Sequence, residues 1–271
     1  MLELPARTLA LLFEKPSLRT RLAFEVAMLQ LGGHCIYLSP TDVAPGKRES
    51  VRDMAQVIGR YVDVIAARTY SHADIEELAS YSGLPVINAL SDYEHPCQAL
   101  ADVMTLLERR GALTGATVTH IGDANNCATS LLYAAVMLGV NFRIASPPGY
   151  EFEPGVLARA REYAAASKAY ILTTADPREA ALGADAIYTD VWTSMGQEAE
   201  HEIRRQAFAQ YQVTEELFSL ANPDAILLHP LPAHHGEEVA EGLLYQTRSA
   251  VFDQAENRLH VHKAVLTGLL T

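Results

Sequence analysis

Ser17, Leu18, Arg19, Thr20 and Arg21 follow the apolar run 9–13 after only three residues and open a stretch of helical periodicity. The first turn of a helix leaves backbone N–H groups without partners, and two hydroxyls and a guanidinium beside them suit one anion, phosphate above all. The glycine-rich loop and lysine of a nucleotide P-loop do not accompany this turn, so the phosphate belongs to something smaller than ATP. Ser17 serves equally well as the N-cap of an ordinary helix. Polar clusters recur further along: Arg68-Thr69, His95-Pro96-Cys97-Gln98, Gly122-Asp123-Ala124-Asn125-Asn126, Asp190 with Ser194-Met195-Gly196, and His229-Pro230-Leu231-Pro232. His95 and Gln98 stand three apart across Pro96, a favourable first helical residue, so both side chains can emerge from one helix start. Asp190 ends an apolar strand, where a carboxylate is costly unless it is paired or faces a cleft. Arg68 has the alternative of a surface ion pair, and Asn125 and Asn126 that of turn formers.

The elements that must position these groups are short apolar runs alternating with amphipathic helical patterns. Runs at 8–13, 34–38, 62–67 and 85–88 form one series, and runs at 117–121, 142–146, 169–173, 186–190 and 225–229 form a second. This order predicts an α/β protein of two doubly wound parallel-sheet domains with helices on both faces. The boundary is expected near Gly111 to Gly115, giving domains of 1–112 and 113–253, with a last helix at about 254–271 returning to the first. In open parallel sheets ligands bind beyond the carboxyl ends of the strands, which is where every polar cluster above falls.

Composition removes other classes. The 271 residues are 49% hydrophobic, enough for two real cores. A formal charge of −12, from 21 basic and 33 acidic residues, opposes general attraction to nucleic acid or anionic membranes. An anionic ligand must therefore be captured by a local cluster. No run of eighteen apolar residues occurs and the start lacks a secretory pattern, so a soluble cytoplasmic protein is expected. The three cysteines lack CxxC spacing, which suggests neither a disulfide framework nor a zinc site, and no metal is expected. The segment 121–127 follows a strand and opens a helix, but it lacks two of the three glycines of a dinucleotide-binding turn, and the next strand ends in Ser146-Pro147 instead of an acidic ribose ligand. No cofactor is expected.

In order along the chain, SLRT at 17–20, RT at 68–69, HPCQ at 95–98, GDANN at 122–126, DVWTSMG at 190–196, HPLP at 229–232 and ENRLH at 256–260 resemble the ornithine carbamoyltransferases. The resemblance implies an enzyme that carbamoylates L-ornithine with carbamoyl phosphate, giving citrulline and phosphate, in a homotrimer or a multiple of trimers. The carbamoyl phosphate set would be Ser17, Leu18, Arg19, Thr20, Arg68, His95, Gln98 and Arg258, with Thr20, Arg68, His95 and Arg258 acting on the reacting group. The ornithine set would be Asn126, Asp190, Ser194, Met195, Pro230 and Leu231. Putrescine carbamoyltransferases are the nearer rival, since they differ mainly in the SMG loop, and a catalytically weakened ligand-binding paralogue is the other alternative. Three departures bear on activity. Pro230 stands where the family reads cysteine, Leu18 replaces a second threonine of the phosphate turn, and Ala44 replaces a polar side chain. They imply altered turnover and a raised Michaelis constant for carbamoyl phosphate. The resemblance also implies a cis Leu231-Pro232 bond and, because relatives carry a helical segment ahead of the first strand, apolar surface that an oligomer must cover.

Overall fold

The computed structural model of the chain describes residues 3–43, 49–194 and 196–271. Ala44 and Met195 lie outside the described residues. Two compact units emerge from the internal packing: residues 1–97 with 256–271, and residues 98–255.

The first unit is built on four parallel strands, β1 (Thr8–Phe13), β2 (His34–Leu38), β3 (Val64–Arg68) and β4 (Val86–Leu90), in the order β2-β1-β3-β4. The two central strands are buried almost throughout, because helices cover both faces and every side chain points into apolar packing. That is why β1 reads as the continuous apolar run Leu9 to Phe13 with no polar alternation. Each such buried Leu or Phe is worth about 1.5–3 kcal/mol. The edge strand β2 is half exposed and carries His34 and Tyr37. The helix Leu18–Leu31 follows β1, and the final helix Val251–Leu270 supplies its last fifteen residues to this unit. There His262 stacks on Phe24, with ring centroids 3.7 Å apart, and the Thr267 hydroxyl donates to Glu3.

The second unit holds five parallel strands, β5 (Thr117–Ile121), β6 (Asn141–Ala145), β7 (Ile171–Thr174), β8 (Ala186–Thr189) and β9 (Ile226–Leu228), in the order β7-β6-β5-β8-β9. Its core joins Ile121, Ile187, Trp192, Phe208, Leu217, Phe218, Leu227 and Val251. The helix Pro96–Arg110 packs with this unit from Gln98 onward. The sequence predicts the boundary after that helix, at the Gly111 to Gly115 turn; the internal packing changes unit fifteen residues before the expected 112/113 division, between Cys97 and Gln98. A continuous helix carries no turn signal where its packing partners change.

Both sheets reverse strand order once. In the first the reversal lies between β1 and β3, and in the second between β5 and β8. Chains leaving adjacent strands at such a point diverge to opposite faces and leave a crevice beyond the carboxyl ends. The loops bordering the first crevice carry Ser17 to Thr20 and Arg68. Those bordering the second carry the Gly122 to Asn126 turn and Asp190.

Candidate active site

In the first unit, Ser17 caps the helix Leu18–Leu31, its Oγ accepting from the Thr20 backbone N–H at 3.2 Å while its hydroxyl meets Thr20 Oγ1 at 3.0 Å. The capping alternative for Ser17 is therefore realised, and it orients the two hydroxyls together. Leu18 turns its side chain to solvent, Arg19 is half-buried, and Thr20 is fully buried. Arg258 of the final helix donates from Nη2 to Thr20 Oγ1 at 2.6 Å. Only a long-range return of the last helix can bring these residues together, because 238 positions separate them.

Arg68 ends β3 at a register shift, where it pairs with Leu90 of β4 instead of the next residue in step. His95 precedes Pro96, the first residue of its helix, as the spacing predicts. Arg68, His95 and Arg258 are all more than nine-tenths buried. Burial, and then the charges of Arg258 and Arg68, hold the His95 imidazole well below its ordinary basicity. At neutral pH it is an uncharged ring beside two guanidiniums. Fixed cations, a neutral donor, hydroxyls and a helix N-terminus make an environment for a dianion carrying a carbonyl group.

In the second unit Gly122 adopts φ +137°, a conformation that side chains resist, and its carbonyl accepts from the Ser146 hydroxyl at 2.7 Å. Asn125 caps the helix Asn126–Met137 from extended backbone, its Oδ1 accepting from the Ala128 N–H at 3.0 Å, a capping role in place of the turn-forming alternative. Its Nδ2 donates to Asp190 Oδ2 at 2.9 Å, which joins the two loops of the switch point. Asp190 Oδ1 accepts from the Val191 N–H at 2.8 Å, and Asn126, Asp190 and Ser194 are half-buried. Carboxylate and amide acceptors of this kind suit an ammonium-bearing ligand. Pro230 is buried and Leu231 half-buried. Leu231 has φ +57° and a cis bond to Pro232, matching the implied geometry. His229 holds that turn: its Nδ1 accepts from the Leu231 N–H at 2.9 Å, so its Nε2–H donates to Glu238 at 3.1 Å.

Gln98 opens the second unit, and its Nε2 donates to Asp102 Oδ1 at 2.8 Å. Asp102 and Gln254 were missed by the sequence reading, although a carboxylate four residues from Gln98 on an otherwise apolar helix face was a signal. Arg204 was missed as well. It is buried against Tyr150 and Phe208, ion-pairs with Asp123 and donates from Nε to the Trp192 carbonyl at 2.6 Å, fastening the 122–126 turn to the 190–196 loop. Its neighbour Arg205 is exposed and pairs within its own helix, and nothing in the pair Arg204-Arg205 tells which one is buried. Among the described residues, His234, Glu237 and Glu238 bring one potential metal-ligand atom each within 4.8 Å of one another, but Glu238 is already engaged by His229 and by the His234 N–H.

The sequence matches the carbamoyl-P binding domain of aspartate/ornithine carbamoyltransferases over residues 2–108 and their Asp/Orn binding domain over 114–269. The chain belongs to the aspartate/ornithine carbamoyltransferase family. Within it the similarity runs to ornithine carbamoyltransferases. That of Thermus thermophilus is 53% identical over 99% of this chain and 86% of its own length, and that of Anoxybacillus flavithermus is 51% identical over 98% and 85%. The solved structure of the Pyrococcus furiosus ornithine carbamoyltransferase superposes with a TM-score of 0.95 at 50% identity, covering 99% of this chain and 85% of that one. The anabolic ornithine carbamoyltransferase of Campylobacter jejuni gives 0.94 at 40% identity, covering 99% of this chain and 89% of that one.

Proposed function

We propose that the protein is an ornithine carbamoyltransferase, moving the carbamoyl group of carbamoyl phosphate to the side-chain amine of L-ornithine to yield citrulline and phosphate. The observation that carries the assignment of the donor is the Arg258 to Thr20 hydrogen bond at a capped helix start, in the unit that also buries Arg68 and His95. Ser17, Arg19, Thr20 and the N–H groups of the first turn, Leu18 included, bind the phosphate; Arg68 spans phosphate and carbamoyl oxygens; His95, Gln98 and Arg258 contact the carbamoyl group. Asp190, Asn126, Ser194 and Met195 bind ornithine. The carbonyls of Pro230 and Leu231 orient the amine.

The attacking amine must be neutral, and a desolvated site favours that form. As it adds to the carbamoyl carbon, the oxygen gains charge that Thr20, Arg68 and neutral His95 stabilise as donors. The carbon–oxygen bond to phosphate then breaks, and the departing phosphate accepts the amine proton, so no protein base is required. Holding two substrates in register accounts for much of the rate, up to about 7–11 kcal/mol in favourable cases.

A role in arginine biosynthesis fits the family. Assembly as a cytoplasmic homotrimer accords with the exposed Leu18, Leu22 and Leu29 of the first helix, an apolar set that an oligomer would cover. The decisive measurement is citrulline formation by the purified protein from carbamoyl phosphate and ornithine, with putrescine in parallel. Carbamoylation of putrescine alone would overturn the substrate assignment, and no turnover of either amine would overturn the enzyme.

Pro230 offers no N–H and no thiol. Pro230→Cys is expected to raise kcat for ornithine roughly fivefold, the worth of about one modest hydrogen bond to the reacting amine. Steady-state kinetics check this, and unchanged constants refute it.

A further inference from the structure

We infer that Asp102 is a positioning residue: it dictates which end of the Gln98 amide is offered to the carbamoyl group and, through Gln254, steadies the His229 to Leu231 turn. The inference rests on the carbamoyl-transfer reading above and assigns work to two residues outside the substrate sets. Asp102 Oδ1 accepts from Gln98 Nε2 at 2.8 Å and from Gln254 Nε2 at 2.6 Å. That oxygen is only an acceptor, so both amides must turn their NH2 groups toward it and their carbonyl oxygens away.

The two released oxygens have different uses. Gln254 Oε1 accepts the His229 backbone N–H at 2.8 Å, and His229 in turn holds the Leu231 N–H. Gln98 Oε1 has no hydrogen-bond partner among the described residues, in a residue 1% exposed. A buried acceptor without a donor is destabilising, and the structure keeps it because Asp102 forbids the flipped amide. The missing donor in the proposed reaction is the NH2 of the carbamoyl group. Phosphate alone carries no such donor.

Asp102, Gln98, Gln254, His229 and Glu238 are each at most 1% exposed, so this chain of hydrogen bonds runs without competition from water. It ties Gln98 and the HPLP segment, both of the second unit, to one carboxyl group. In the sequence they are 131 residues apart, counted from Gln98 to His229.

Asp102→Asn preserves shape but can donate as well as accept, so the Gln98 amide loses its fixed direction. In the intact protein, this variant is expected to bind carbamoyl phosphate about tenfold more weakly while binding inorganic phosphate within twofold of the parent, with kcat down about 10- to 100-fold. A purely structural role would weaken both ligands alike. Equal changes for the two anions, or none, overturn the inference. Gln254→Leu keeps the Asp102 to Gln98 bond and covers the case in which Asp102→Asn does not fold. It is expected to retain the discrimination between the anions while raising KM for ornithine about fivefold, and lost discrimination in that variant is equally fatal. Citrulline formation by the parent separates the two levels: its absence removes the reading itself, whereas an active parent with an indifferent Asp102→Asn removes only this inference.

Discussion

Arg258→Met is expected to lower kcat/KM for carbamoyl phosphate by about 10²- to 10³-fold, the usual cost of deleting one preorganised charged donor from an oxyanion site. Methionine keeps most of the buried volume, so the loss reports charge and hydrogen bonding more than packing. Three effects add in one direction. The Thr20 hydroxyl loses its guanidinium partner at 2.6 Å, the carbamoyl group loses a charged donor, and His95 loses the positive charge that, after burial, does most to keep it neutral. His95 therefore becomes easier to protonate, and the acid limb of the pH–rate profile should move toward neutrality. Arg258→Lys restores a charge without the planar fork and should recover only part of the rate. Steady-state kinetics at saturating ornithine across pH 6 to 9 measure both effects. A change of less than threefold in kcat/KM would remove Arg258 from the site.

How much of this was readable beforehand differs by level. All nine described strands lie within about two residues of the apolar runs, because central parallel strands need no polar alternation and turn residues bracket them. The small misses have local causes. The run at 85–88 stops short of Leu90 because a register shift between Ala67 and Arg68 draws β4 onward. The helix start at Pro96 is legible, because a first turn has no use for the N–H that proline lacks. Strand order was not readable, since right-handed crossovers constrain the connections but do not say where a sheet reverses. Without that order nothing in the sequence marked the two switch points, and the polar clusters could only be collected as residues following strands. The resemblance supplied Arg258, which no local pattern in its helix distinguishes. Asp102, Gln254 and Arg204 act on backbone and amide groups of other segments, so their importance depends on contacts spanning 152 residues for Asp102 with Gln254 and 81 for Arg204 with Asp123.

Acid should destabilise the protein before most of its carboxylates titrate. His95 and His262 in the first unit and His120 in the second are buried and held below their ordinary basicity, His120 at about 4, and burial is the largest cause for each. Asp190 and the contact with the Asp123 carbonyl push His120 upward but do not overcome burial, and His229 lowers it further. In the unfolded chain all three take up a proton near pH 6.5, so below that point the unfolded state binds more protons than the folded one. Stability then falls with falling pH, by about 1.4 kcal/mol per pH unit for each histidine. The two in the first unit together give about 3 kcal/mol per unit, and all three about 4. Asp123 works the other way: burial outweighs Arg204 and raises its pKa, so the folded state gains from its protonation as the pH drops. One such carboxyl offsets at most one histidine. Against a typical total of about 5–15 kcal/mol, the drop from pH 6.5 to 4.5 removes at most about 5 kcal/mol through the two rings of the first unit, a large share of its stability. Urea midpoints measured from pH 8 to 4.5 should be level above pH 7 and fall below 6.5, and His262→Gln should flatten that fall by about half. A midpoint unchanged between pH 7.5 and 5 would mean that these rings are protonated in the folded protein, and the neutral donor role given to His95 would fail with it.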